Sequence, residues 1–78
     1  MLIILPSTPT TEKASAYLSS KNIPHQVIPV PESLNYKTGS DTAIYIVGND
    51  HADVPMTLTQ QRFIVMRVFK DFELQDFE

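Results

Sequence analysis

Between Leu5 and Thr11 the chain reads Leu-Pro-Ser-Thr-Pro-Thr-Thr, which stops an extended run and starts a helix. Met1–Leu5 is the short apolar segment expected of a buried strand. Thr8 is then the expected N-cap, with Pro9 at the first helical position, where its missing N–H costs nothing. A strand running straight into a capped helix is the opening of an α/β topology. The free backbone N–H groups of the first helical turn also offer a place for an anion.

The chain has 78 residues, enough for one domain spanning 1–78. A domain this small buries about 60–65% of its unfolded surface, and its core rarely supplies more than ~3–5 kcal/mol. With no cysteine, disulfides and thiolate metal sites are excluded. Dimerisation is the remaining common stabiliser. No apolar run reaches the ~20 residues of a membrane span, and the N-terminus has neither a basic flank nor a cleavage site. The expected location is therefore the cytoplasm, without membrane contact. Six Lys and Arg against nine Asp and Glu give a formal charge of −3. The cations are scattered along the chain, unlike the clusters that hold phosphate backbones, so nucleic acid is not an expected partner.

The first helix is expected from Pro9 to Lys21, with Ala14, Ser15, Tyr17 and Leu18 sharing one stripe. Asn22 suits a left-handed position after the last turn, Ile23 folds back, and Pro24 prevents continuation. His25–Val30 reads as a strand. Pro24, Pro29 and Pro31 assign it to a sheet edge, because proline cannot donate to a ladder. Glu32–Asp41 is a polar loop, and Thr42–Val47 is a β-branched and aromatic strand ended by Gly48-Asn49-Asp50.

Phe63-Ile64-Val65-Met66 has high strand propensity. Helical spacing nevertheless gathers Leu58, Ile64, Val65, Met66, Val68 and Phe69 into one continuous arc of about 200°, and Thr57-x-x-Gln60 matches a capping box. The spacing predicts a helix over Leu58–Lys70 and a fourth strand over Phe72–Phe77. The order β-α-β-β-α-β is that of a ferredoxin-like α+β domain: a four-stranded, antiparallel-type sheet with two helices on one face. Such a sheet would expose apolar side chains of its central strands on the uncovered face, and covering them calls for a homodimer or a protein partner.

The segments Leu5-Pro6-Ser7-Thr8, Ile28-Pro29-Val30-Pro31 and the Gly39 loop before Thr42-Ala43-Ile44 resemble a family of small bacterial selenium/sulphur carrier-like proteins. The likeness spans about Met1 to Val47. Leu5 departs from the family's phenylalanine, and two residues are inserted after Gly39. The family's cysteine falls on Thr38, whose hydroxyl cannot hold a persulfide as a thiolate does. The resemblance implies either a non-catalytic binding or adaptor module, or a sulphur- or selenium-transfer protein that uses a partner's thiol.

Two segments are candidate ligand sites. Ser7, Thr8, Thr10 and Thr11 crowd the first helix start, where they serve either as caps or as anion ligands. In the loop, Lys37 offers charge, Tyr36 a stacking face, Thr38 a hydroxyl and Gly39 a close backbone approach. If the two segments meet, Ser7, Thr8, Thr11, Lys37, Thr38 and Gly39 form one weak oxyanion site. Asp50-His51-Ala52-Asp53 lacks further ligands at metal spacing, His25 being far off in sequence, so no metal or other cofactor is expected. No nucleophile paired with histidine and no spaced carboxylate pair suggests an enzyme. Tyr45 and Phe63, the latter outside the helical arc, are candidate interface residues.

Overall fold

The computed structural model describes residues 1–34, 39–47 and 51–72. In chain order these form β1 (Leu2–Ile4), α1 (Thr8–Ser20), β2 (Gln26–Pro29), β3 (Thr42–Tyr45), α2 (Val54–Gln60) and β4 (Arg67–Phe69), with a 3-10 turn at Glu32–Leu34. The sheet order is β2-β3-β1-β4. All three pairings are antiparallel, with Ile3 opposite both Ile44 and Val68. The expected α+β class and ferredoxin-like strand order are therefore present, and the proline-bearing β2 lies at an edge.

Both helices cover the same face of the sheet. Ala14 and Leu18 of α1 and Val54 and Leu58 of α2 pack with Met1, Ile3, Leu5, Ile44 and Ile46. Fully burying each Leu or Ile contributes about 1.5–3 kcal/mol, so this layer supplies most of the cohesion. The other face is covered as well. Leu2, Ile4, Ile28, Ala43 and Tyr45 are buried beneath Val30, Leu34, Phe69 and Phe72. Among the described residues the expected bare apolar face is thus absent, because Val30 and Leu34 after β2, Phe69 in β4 and Phe72 after it cover that side.

The first helix begins one residue earlier than expected. Ser7, not Thr8, is its N-cap, in extended conformation with its side chain accepting from the Thr10 N–H, and Pro9 is the second helical residue. Its end follows the expected pattern. Asn22 has φ 60°, its N–H donates to Ser19 O at 3.1 Å, and the Ile23 N–H donates to Leu18 O at 3.0 Å. These two bonds satisfy carbonyls of the last turn and fold Ile23 back onto the helix.

The largest correction concerns the helix expected at Leu58–Lys70. Helix α2 spans Val54–Gln60, seven residues, and Arg62 ends it with φ 70°. Arg62 and Phe63 donate to Thr59 O and Leu58 O at 3.0 and 2.9 Å, repeating the bonds that close α1. Beyond that point the chain runs out to β4, and Met66 N–H donates to Ile4 O at 2.8 Å. Phe63 and Val65 pack on the core while Ile64 and Met66 are 65% and 48% exposed. That alternation is the period of an extended segment, so the strand propensity of these residues prevailed over helical spacing. The fourth strand is Arg67–Phe69 in place of Phe72–Phe77, and residues 73–77 lie outside the described residues.

Candidate binding site

The start of α1 and the end of the loop before β3 do meet. Ser7 and Gly39 form an isolated parallel bridge. A Cβ on Gly39 would lie 2.5 Å from the Pro6 carbonyl oxygen, so only glycine allows this approach. From Gly39 onward, hydroxyls fasten the loop to the helix. Asp41 N–H donates to Thr8 Oγ1 at 3.1 Å, and Ser7 Oγ lies 2.8 Å from Thr10 Oγ1. Thr11 Oγ1 lies 3.1 Å from Ser7 O and 2.9 Å from Ser40 Oγ. Ser40 Oγ in turn donates to Thr42 O at 2.6 Å. With Ser40's proton on that carbonyl, the single Thr11 hydroxyl proton is shared between Ser40 Oγ and the Ser7 carbonyl.

Thr11 and Ser40 are buried. Of the six residues expected at the ligand site, the structure brings Ser7, Thr8, Thr11 and Gly39 together, while Lys37 and Thr38 lie outside the described residues. The hydroxyls at this junction are engaged with one another and with backbone groups. Their arrangement does the work of a staple between helix and loop, each bond contributing about 0.5–1.5 kcal/mol.

The two expected interface residues sit within the fold. Tyr45 is 6% exposed, its ring meeting Phe72 edge-on at 5.8 Å. Phe63 is half-buried, with its ring 6.2 Å from that of Tyr17. The alternation of the 63–66 segment explains this: the side chain that fell outside a helical arc points inward from an extended one.

One polar pair was not legible in the sequence. Ser15 Oγ and His25 Nε2 are 2.7 Å apart, and His25 Nδ1 lies 2.9 Å from Ile23 O. A carbonyl can only accept, so Nδ1 carries a proton, and in the neutral ring Nε2 accepts from Ser15. Ser15 stands in mid-helix, where neighbouring N–H groups belong to the helical ladder and are not free to stabilise an oxyanion. The pair pins the lead-in of β2 to α1. His25 and His51 line a cleft of about 260 Å³ together with Pro24, Gln26, Tyr45 and Val47. Among the described residues no three His, Asp or Glu side chains converge on a metal position.

A second cleft, of about 230 Å³, lies between α1 and the segment after α2. Its walls are Pro6, Thr10, Lys13, Arg62, Phe63 and Ile64. Two cations far apart in sequence thus share one apolar-floored depression. The signal that could have pointed to it is Arg62 itself, a charged residue at the end of a short helix where Gly or Asn is the ordinary choice.

No protein-family model matches this chain, and no curated protein or solved structure matches it either. Among the described residues, no helix is long and apolar enough to cross a membrane.

Proposed function

We propose that this chain is a non-catalytic binding module that acts through protein–protein contact. The observation that carries the reading is the segment joining α2 to β4. It turns Phe63 and Val65 into the core and leaves Ile64 and Met66 in water, 65% and 48% exposed. Large apolar side chains held outward on a hydrogen-bonded segment lose little entropy on docking, which favours a contact surface. The hydroxyl network at the start of α1 supports the same reading, since its groups hold the fold together.

Site-specific photo-crosslinking in the native host tests this. A crosslinker in place of Ile64 or Met66 is expected to give a discrete protein adduct, and one in place of the exposed Ala16 is expected to give none. Equal labelling at all three positions, or none at any, contradicts the proposal.

A further inference from the structure

Lys13 and Arg62 are exposed and line the same cleft, and among the described residues neither is held in an ion pair. Arg62 also occupies a left-handed backbone position, φ 70°, that costs an ordinary residue energy. An arginine kept there, over a floor of Phe63, Ile64 and Pro6, suits an anionic group carried on an apolar body.

The sequence contains such a group. Residues 1–72 hold six basic and six acidic side chains and are formally neutral. The whole formal charge of −3 therefore resides in Glu73-Leu74-Gln75-Asp76-Phe77-Glu78. In an extended peptide Asp76 and Glu78 face one side and Phe77 the other, matching two cations beside an apolar floor.

The segment cannot fill the cleft of its own chain. Phe72 O accepts from the Met1 amino group at 3.4 Å, and Phe72 packs on the face opposite the helices. The cleft lies at Pro6, the far end of β1, on the helix side. Met1 to Pro6 is about 17 Å along a strand and the two faces lie about 10 Å apart at right angles to it, so the cleft is about 20 Å away even along a straight line that the sheet itself blocks. Six fully extended residues reach about 20–22 Å, which leaves none to seat.

We infer that the Lys13–Arg62 cleft receives the acidic, aromatic segment 73–78 of a second copy of this chain, the two copies exchanging segments about a two-fold axis. This rests on the binding-module reading and names the partner. Sedimentation of the full chain at low and high salt tests it. Wild type is expected to form dimers that weaken as salt rises. Lys13→Glu with Arg62→Glu, or Asp76→Lys with Glu78→Lys, is expected to weaken dimerisation about tenfold or more, and mixing the two variants to restore it. Circular dichroism confirms that each variant is folded before the mixture is read. A wild type that stays monomeric at the highest attainable concentration overturns the inference, as does a mixture that fails to recover. If that happens while Ile64 crosslinks to a different protein, the binding-module reading survives and only the choice of partner falls.

Discussion

Asn22 and Arg62 hold the same post at the ends of the two helices, each with positive φ, 60° and 70°. Behind each, the next residue bonds back to a leucine: Ile23 N–H to Leu18 O, and Phe63 N–H to Leu58 O. The two halves of the fold are closed by one device, but with residues of different suitability. Asparagine enters the left-handed region readily, whereas arginine does so at about 1–2 kcal/mol.

Arg62→Gly should therefore raise stability. Relief of the left-handed strain, less the ~0.5–1 kcal/mol of extra unfolded-state entropy that glycine brings, leaves a gain of roughly 0.5 kcal/mol. Asn22→Gly should gain less. Urea midpoints of both variants check this, and a lower midpoint for Arg62→Gly would show that the position carries no strain. The same substitution should weaken self-association, so stability and binding move in opposite directions.

Gly39→Ala should destabilise by about 1–3 kcal/mol, because the added methyl meets a backbone oxygen that cannot rotate away. That carbonyl belongs to Pro6, 2.5 Å from the new Cβ. An unchanged denaturation midpoint would mean that the loop does not close on the helix.

Two isosteric substitutions at the same junction should have opposite signs. Thr11→Val removes a buried hydroxyl bonded to Ser40 and Ser7 and should cost about 1–2 kcal/mol. Among the described residues, buried Thr42 Oγ1 has no hydrogen-bond partner. Thr42→Val should therefore be neutral or stabilising by up to ~1 kcal/mol. Denaturation of the pair, read side by side, separates the bonded hydroxyl from the orphan one.

Local chemistry made the first half of the fold readable. Proline places β2 at an edge, and Asn22-Ile23-Pro24 marks the end of α1. The second half was misread because Phe63–Phe69 fits two periods. An arc of about 200° is wide enough to collect most apolar residues of any hydrophobic run. The inward/outward alternation of Phe63, Ile64, Val65 and Met66 was the better guide, and Phe63's failure to join the arc was its visible sign.

The candidate site was legible in part. Hydroxyl caps at Ser7–Thr11 follow from composition. Their use as a staple depends on Gly39 and Ser40 arriving from a distant loop. The Lys13–Arg62 cleft is a product of tertiary packing: Arg62 marks one wall locally, and only the fold brings Lys13 beside it. The cover over Leu2, Ile4 and Tyr45 is likewise long-range: it comes from Leu34 and Phe72, which bracket the rest of the sheet in sequence.

The extended course of the 63–66 segment exposes Ile64 and Met66 and builds one wall of the cleft. The chain has no cysteine, so single variants Phe63→Cys, Ile64→Cys, Val65→Cys and Met66→Cys each report one position without background. Their reaction rates with a small thiol reagent under native conditions are the direct test. Alternation is expected, with positions 64 and 66 fast and positions 63 and 65 roughly tenfold or more slower, because the latter react only through local opening. Slow reaction at both 64 and 65 with fast reaction at 63 is the signature of a helix and would contradict it.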